Sequence, residues 1–370
     1  MNAPITIDNA TAMPITEQVA NPFGWLQRQA PTRYEDRAGL IAALKDRSER
    51  AHSQVIENAQ VELLHNPNIQ TKDDANQLLF AINGNAVGMT HWSFGQLAQL
   101  AKAPAAYLRS LPAPYVKDCL EYGLRHVREV EDIKPYFDGH ELRAVTGPGY
   151  GRVDDYLVAE AVASILDDNR WVPADEHMGF SVTDRSLQMF MIDKENPVVV
   201  GKTRNGDDDV MYRGLRIFNS ELGYSSLGIE GFLFRSYCLN GCIFGMQEAH
   251  TITVRHSKNA PYRWAREVQP ALEAYASEDG SKLVDQVTNL KQSLVAHDDD
   301  KAVAFLNNRG MSRSMARQAI ERVEVEEGSH ARTAWDLVQG VTAVARDIHV
   351  AEDRADLERM AGNIWSKFAA

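Results

Sequence analysis

Residues 213 to 256 read RGLRIFNSELGYSSLGIEGFLFRSYCLNGCIFGMQEAHTITVRH, and this stretch decides the fold class. Its apolar runs are short, often alternate with other residues, and are interrupted by Gly, Asn and Ser, which is typical of strands joined by tight turns. Similar runs come earlier in the chain: ELRAV (141–145), FSVTDRSLQMFMI (180–192) and PVVVGK (197–202). We therefore predict a central sheet with antiparallel pairing.

Helical spacing dominates on both sides of this sheet. Residues 36–128 include THWSFGQLAQLAKAPAAYLRSL, in which Thr90 is a plausible N-cap and Pro104 ends the helix. Helical periodicity returns from Tyr262 to the end of the chain. The predicted fold class is α+β, a central antiparallel β-rich region flanked by N-terminal helices and a helical C-terminal region.

The predicted organisation has four parts. Residues 1–20 are polar and aperiodic and are expected to be a mobile tail. Residues 21–130 are expected to be mainly helical, 131–260 a β-rich core with one helix, and 261–370 helical. The helix within the core is expected near 154–166, where one face carries Leu157, Val158, Ala161, Val162, Ile165 and Leu166.

Composition limits the class of protein. Apolar residues make up 44% of the 370 residues and charged residues 24%, as in ordinary globular proteins. No leader pattern and no run of about 18 apolar residues is visible, and three cysteines fit a reducing compartment. We therefore predict a cytoplasmic protein without a membrane partner.

Charge is distributed unevenly along the chain. The net charge is −12, which argues against a surface that is basic throughout. Between Lys202 and Arg266, however, there are nine Lys and Arg and six Asp and Glu, so this segment has a net charge of +3. A local basic face is therefore compatible with the acidic whole.

Cys238, Cys242, His250 and His256 form a candidate metal cluster by sequence proximity. If HTITVRH is a regular strand, six residues of about 3.3 Å each separate the two histidines by roughly 20 Å. They cannot then share one ion, whose ligands must converge at about 2.0 to 2.3 Å. We expect no metal site and no catalytic residue here, and buried sheet cysteines instead.

Asn240-Gly241 predicts a two-residue hairpin turn between the strands that carry the cysteines. In that register the thiols of Cys238 and Cys242 point to opposite faces. A three-residue loop with a glycine bulge would place them on the same face, so the conclusion depends on the turn type.

GPGYGRVDDY (147–156) lies between a predicted strand and a helix, where dinucleotide-binding loops occur. The third glycine is missing, and Asp154 and Asp155 place negative charge where a phosphate would bind. We interpret the stretch as a tight turn with an Asp N-cap. No cofactor is expected.

Arginine and aromatic side chains alternate in FLFRSYCL, where Arg235 and Tyr237 share one strand face. Such a face can hold single-stranded nucleic acid through phosphate contacts and base stacking, and an arginine paired with Glu230 or Glu248 over a packed tyrosine explains the pattern equally well. The predicted nucleic-acid-binding residues are Lys202, Arg204, Arg213, Arg216, Arg235, Tyr237, Arg255, His256 and Lys258.

A second basic region follows in DDKAVAFLNNRGMSRSMARQAIERV. Arg309, Arg313 and Arg317 could belong to a helix-turn-helix motif that offers its second helix to DNA. An ordinary helical hairpin with an exposed charged face is the commoner explanation.

Four stretches, in this order, resemble the phage- and plasmid-borne family catalogued as domain of unknown function 932. They are GYGRVDDYLVAEAVASIL, RGLRIFNSELGYSSLGIEGFLFRSYCLNGCIFG, HTITVRH and TAWDLVQGVTAVARD. THWSFGQLAQLAKAPAAYL resembles the segment that commonly precedes them, so the resemblance covers roughly 88–350. Its most specific parts are the N-S-x-x-G run (Asn219, Ser220, Gly223) and the C-x-N-G turn (Cys238, Asn240, Gly241).

This resemblance implies a mobile-element origin and a place among genes of DNA replication or recombination, and it supplies no catalytic residue. A fold-level analogy to single-strand annealing proteins, which assemble as oligomers and need no cofactor, points the same way. We expect a non-enzymatic, homo-oligomeric phage or prophage protein that binds single-stranded nucleic acid in the host cytoplasm.

Two alternatives stay open. One is a nucleotide- or nucleic-acid-processing enzyme that uses Asp154, Asp155, His250 and Cys238. The other is an acidic interaction factor that acts on host or phage proteins.

Overall fold

The computed structural model describes residues 21–82, 84–126, 131–174, 179–235, 243–244, 251–278, 280–348 and 351–369. Two sheets and thirteen α-helices are present in these ranges. The fold class is therefore α+β, as the sequence predicts. The predicted tail, residues 1–20, lies outside the described residues.

The strands are β1 Thr32–Tyr34, β2 Ala51–Ser53, β3 Ile56–Glu57, β4 Glu62–His65, β5 Leu78–Ile82, β6 Asn85–Met89, β7 Asp132–Asp138, β8 Glu141–Thr146, β9 Trp171–Pro173, β10 Phe180–Val182, β11 Leu187–Asp193, β12 Val198–Lys202, β13 Asp208–Asn219, β14 Leu227–Arg235, β15 Ile243–Phe244 and β16 Thr251–Val254. The helices are α1 Arg37–Arg50, α2 Lys72–Asn76, α3 His91–Leu100, α4 Ala105–Leu108, α5 Ala113–His126, α6 Asp155–Ile165, α7 Ala260–Arg263, α8 Gln269–Ser277, α9 Leu283–Gln292, α10 Asp299–Asn307, α11 Arg313–Glu326, α12 Ala334–Arg346 and α13 Ala351–Phe368. A π-helical turn, Trp264–Val268, joins α7 to α8.

The larger sheet has nine strands in the order β1-β10-β11-β13-β14-β15, with β9, β12 and β16 paired to β11, β13 and β14. Every pair in it is antiparallel, including pairs that are far apart in the chain, such as β1 with β10. Its central strand β14 is buried along its whole length, which explains its nearly continuous apolar sequence.

A second sheet of seven strands, in the order β2-β7-β8-β6-β5-β4 with β3 on β7, lies in the N-terminal part of the chain. The expectation of a mainly helical region over 21–130 misses its short strands. LLFAI (78–82) is fully buried, so it lacks the alternation that identifies a strand exposed on one face. The sheet also crosses the predicted boundary at 130, since β7 and β8 pair with β2 and β6.

Three main cores fill the described part of the molecule. The seven-stranded sheet packs on α3 and α5 around Phe80, Phe94 and Leu120. One part of the nine-stranded sheet packs on α1, α6 and α8, and another part packs on the C-terminal helices α9 to α13. No helix within the described ranges has the length and apolarity needed to cross a bilayer.

A capping residue fixes the start of α3, as the sequence predicts. Thr90 accepts a hydrogen bond from the Ser93 amide at 3.0 Å and begins α3. On α6, Val158, Ala159 and Val162 are buried. Leu157, expected on the same face, is 48% exposed, because the buried stripe is narrower than its apolar sequence suggests.

Candidate functional site

The turn between β13 and β14 carries the N-S-x-x-G motif. Asn219 Nδ2 donates to Asp155 Oδ1 at 2.8 Å and also to a carbonyl of the loop between β8 and α6. Ser220 Oγ donates to the carbonyl of Arg185 at 2.6 Å, in the turn between β10 and β11. Gly223 has a φ of 85°, which favours glycine. The motif residues thus attach the turn after β13 both to the start of α6 and to the turn between β10 and β11.

A buried charge cluster lies behind this turn. Arg47 on α1 donates through Nη2 to Asp155 Oδ2 at 2.8 Å and to Glu221 Oε1 at 2.9 Å. Arg143 on β8 lies 3.6 Å from the same Glu221 oxygen. Asp155, Glu221 and Arg143 are at most 5% exposed. The cluster therefore joins the N-terminal helix and sheet to the turn after β13.

Glu221 also caps α6. Asp154 occupies the N-cap position, as the sequence predicts, but its side chain makes no capping hydrogen bond. The amide of Asp155 instead donates to Glu221 Oε2 at 3.0 Å. A carboxylate thus occupies the place at the helix N-terminus where a phosphate would bind, which supports the interpretation of 147–156 as a turn.

The two carboxyl groups titrate differently. Burial and the neighbouring Glu221 raise the pKa of Asp155 from 3.8 to about 7. Burial alone would raise the pKa of Glu221, but Arg47 and Arg143 outweigh it and lower that pKa below 4.5. Asp155 is the group of this pair that takes up a proton near neutral pH.

His256 packs against the loop between β8 and α6. Its ring stacks on Tyr150 with centroids 5.1 Å apart, and its Nδ1 lies 3.2 Å from the carbonyl oxygen of Gly151. Burial lowers the pKa of His256, so the ring is neutral near pH 7. Gly151 packs so tightly on residues 257–258 that a Cβ would lie 1.9 Å from the Ser257 carbonyl oxygen. His256 is thus a packing residue rather than an exposed phosphate ligand.

The next segment, residues 255–266 (RHSKNAPYRWAR), contains four Lys and Arg and no Asp or Glu. We call it the basic segment. Arg255, Lys258 and Arg266 are exposed, and Tyr262 is 59% exposed. Arg266 donates to the Tyr262 hydroxyl, and its guanidinium lies 5.3 Å from the ring centroid. An exposed cation therefore lies beside an exposed aromatic ring.

Buried side chains hold the basic segment in place. Trp264 and Val268 at the two ends of the π-helical turn are buried in the core beneath the nine-stranded sheet. Arg263 forms an ion pair with Glu267 on the exposed side. The charged face is consequently fixed by its own apolar anchors.

Three of the predicted phosphate ligands are buried in the protein. Arg213 donates to the carbonyl of Tyr275 at 2.6 Å, and Arg216 donates to Glu230 at 2.7 Å. Arg235 forms a two-point contact with Asp209 at 2.7 and 2.9 Å. All three are at most 6% exposed. We do not retain them as phosphate ligands, because their donors already stabilise the fold.

The other predicted residues are distributed differently. Lys202 is exposed and pairs with Asp208 at 2.8 Å, and Arg204 donates to the carbonyl of Val325 at 3.2 Å. Arg255 and Lys258 belong to the basic segment. Tyr237 lies outside the described residues, as do Cys238, Cys242, His250 and the predicted turn at Asn240-Gly241.

The predicted helix pair at the C-terminal arginines is present as α10 and α11. Arg309 is partly buried and lies over the ring of Phe305 at 3.5 Å. Arg313 and Arg317 are exposed on α11. The inner face of α11 packs through Ala316, Ala319 and Ile320 on the C-terminal core, as in a helical hairpin.

Comparison with known proteins identifies the family. Residues 145–370 match the family model described as Domain of unknown function (DUF932), which is more than half of the chain. The chain belongs to the DUF932 family. The expected resemblance over 88–350 is thereby confirmed from residue 145, while 88–144 lies outside the match. No curated protein and no solved structure matches the chain.

The DUF932 domain contains Asn219, Asp155, Glu221 and the whole basic segment. The arginines that neutralise its buried carboxylates, Arg47 and Arg143, come from the region before it. Sequence reasoning missed this cluster, because its members are up to 174 residues apart. It also missed Tyr262 and Arg266 as a pair, although a run of twelve residues without an acid could have indicated them.

Proposed function

We propose that this DUF932 protein binds single-stranded nucleic acid through the basic segment, residues 255–266. The observation that carries the proposal is the run of exposed Arg255, Lys258 and Arg266, of which Arg266 contacts the exposed ring of Tyr262. Cations contact phosphates and an aromatic ring stacks on a base, which is how proteins bind single strands without reading sequence.

The surrounding structure suits this role. Neighbouring Tyr150 and the exposed loop 147–149 extend the polar surface beside the basic segment. The basic segment carries +4 in a chain of net charge −12, so the remaining residues carry −16 and binding is expected to be confined to this face. Double-stranded DNA should bind more weakly, because its stacked bases are closed to Tyr262.

We further propose a phage or prophage origin, homo-oligomeric assembly and action in recombination as a cofactor-free annealing factor in the host cytoplasm. The resemblance to mobile-element proteins supports the origin, and single-strand binding is what annealing requires. The enzyme alternative is weaker. Asp155 is 2% exposed and its carboxylate accepts from Arg47 and Asn219, so it does not face a substrate.

Fluorescence anisotropy with a labelled single-stranded oligonucleotide tests the binding proposal. Arg255→Glu with Lys258→Glu should weaken binding at least tenfold, since two phosphate contacts are replaced by repulsion. The matched control is Arg313→Glu with Arg317→Glu, two exposed arginines on α11, which should change affinity little. Loss of binding in the control but not in the first variant would favour the α11 hypothesis instead.

A further inference from the structure

Helix α5 presents an aromatic stripe that its own fold does not require. Tyr115, Cys119, Tyr122 and His126 recur at spacings of four, three and four residues, so they lie along one face. Tyr115 is 63% exposed and Tyr122 66% exposed. Cys119 is exposed with a free thiol. Within the described residues this face has solvent in front of it.

The opposite face of α5 is an ordinary buried face. Val116, Leu120 and Leu124 pack in the N-terminal core with 0–2% exposure. The helix is thus fully anchored without its tyrosines. Two large exposed aromatic rings along about 16 Å of helix are therefore a candidate interaction surface.

The charges beside the stripe favour one kind of partner. Asp118 and Arg125 are exposed on the same flank of the stripe, seven residues apart. When two copies of one helix pack antiparallel about a two-fold axis, each flank faces the same flank of the other copy. Asp118 then faces Arg125 of the second copy, and this pair forms twice.

The stripe itself is self-complementary in the same arrangement. A two-fold axis that runs between the two helices, level with the midpoint of Leu120 and Glu121, places Tyr115 opposite His126 of the second copy and Cys119 opposite its Tyr122. Asp118 and Arg125 of the second copy are then offset by about 3 Å along the helices, which the long arginine side chain spans. Aromatic rings thus meet aromatic rings or a small side chain at each level. Tyr122 and His126 already stack within the helix, with centroids 4.1 Å apart, so this part of the surface is pre-ordered.

The charges are available for this contact. Arg125 Nη2 lies 3.2 Å from Glu121 within the helix, but Glu121 also pairs with Lys117 and accepts the amide of Leu63. Glu121 therefore keeps partners when Arg125 turns toward the second copy.

We propose that α5 is a homodimer interface in which two copies pack antiparallel through Tyr115, Cys119, Tyr122 and His126. A contact through one helix from each copy is small beside the roughly 1,200–2,000 Å² of a stable interface, so the dimer should be weak and depend on protein concentration. The proposal is independent of nucleic-acid binding, because α5 and the basic segment share no residue.

Charge reversal tests it in the full chain, with sedimentation velocity over a series of concentrations as the measurement. Asp118→Arg alone sets arginine against arginine, and Arg125→Asp alone sets aspartate against aspartate, so each should give a monomer. The double variant restores both pairs and should restore the dimer. Reversal of an exposed charge elsewhere, Lys301→Asp on α10, should have no effect.

Cross-linking gives a second readout. In a variant with Cys238→Ser and Cys242→Ser, a short bis-maleimide should link two Cys119 thiols, and Tyr122→Arg should abolish the link while circular dichroism stays unchanged. A wild type that is monomeric at every concentration overturns the proposal. So does a dimer that survives the single reversals or is not restored by the double variant.

Discussion

At the scale of single residues, glycine marks where the basic segment meets the rest of the DUF932 domain. Gly151 has the carbonyl oxygen of Ser257 where a Cβ would be, at 1.9 Å, whereas Gly149 has no atom within 4 Å of that position. Two glycines in one loop therefore differ only in what lies against them. The close approach accompanies the stacking of Tyr150 on His256 of the basic segment.

This difference gives a paired prediction. Gly151→Ala should lower the free energy of unfolding by about 1–3 kcal/mol, because the loop must move away from residues 257–258. Gly149→Ala should stay within about 0.5 kcal/mol of wild type. Urea denaturation measures both. Equal effects would mean that the contact between the loop and the basic segment is not tight.

Single residues also show what sequence patterns can and cannot provide. Alternation correctly separates Leu233 from Phe232 and Phe234, which lie in different cores. It predicts that Arg235 shares the face of Leu233 but not that Asp209 and Glu327 surround it, 26 and 92 residues away. Alternation with a period of two predicts on which face of the strand a side chain lies, but it does not predict which residues contact that side chain.

At the scale of elements, the buried cluster joins α1, α6, β8 and the turn after β13. Its arginines come from outside the matched family region and its carboxylates from inside. Breaking a buried ion pair costs several kcal/mol, because the remaining charge stays uncompensated. The cluster therefore makes the stability of the DUF932 domain depend on the region before it, and the reverse.

The raised pKa of Asp155 makes this joint sensitive to pH. A carboxyl group whose pKa is higher in the folded state stabilises the fold below its unfolded pKa of 3.8, and this contribution is lost as pH rises toward about 7. Within that window, Asp155 lowers the free energy of unfolding by at most about 1.4 kcal/mol for each unit by which the pH rises. Glu221, with a lowered pKa, loses its contribution at the acidic end, below 4.5.

Asp155→Asn should remove this part of the pH profile. Denaturation midpoints measured from about pH 5 to pH 8 should show the variant gaining stability relative to wild type as pH rises, with no further gain above about pH 7. Asp167→Asn, an exposed residue just after α6, is the control and should follow wild type. Parallel profiles for wild type and Asp155→Asn would show that Asp155 stays ionised throughout.

Some strands and helices could be predicted from the sequence, and others could not. The long strands of the nine-stranded sheet, β11, β13 and β14, follow from short apolar runs broken by turn residues, and the C-terminal helices from their periodicity. Its strand β1, Thr32–Tyr34, falls in the region expected to be mainly helical. The seven-stranded sheet was missed because its strands are two to five residues long over 51–89, too short for a period to show. Of its longer strands, β8 was expected, but as part of the central sheet, whereas β7 was not identified as a strand.

At the scale of the whole molecule, an acidic chain carries an exposed run of positive charge in the basic segment, residues 255–266. The nine Lys and Arg between 202 and 266 do not act together, since Arg213, Arg216 and Arg235 stabilise the interior. Of the six that remain, four lie in the basic segment, whereas Lys202 pairs with Asp208 and Arg204 donates to the carbonyl of Val325. A surface of this kind predicts binding that is local, electrostatic and independent of sequence.

The salt dependence of binding tests this interface most directly. Anisotropy titrations of a labelled single-stranded oligonucleotide at several salt concentrations should give a straight line of log affinity against log salt. Arg255→Ala with Lys258→Ala should reduce the slope of that line by about 1.4, or about 0.7 for each phosphate that the protein no longer neutralises. Arg313→Ala with Arg317→Ala should leave the slope unchanged. No binding by the wild type at low salt, or the same slope in all three proteins, would contradict the assignment of residues 255–266 as a nucleic-acid interface.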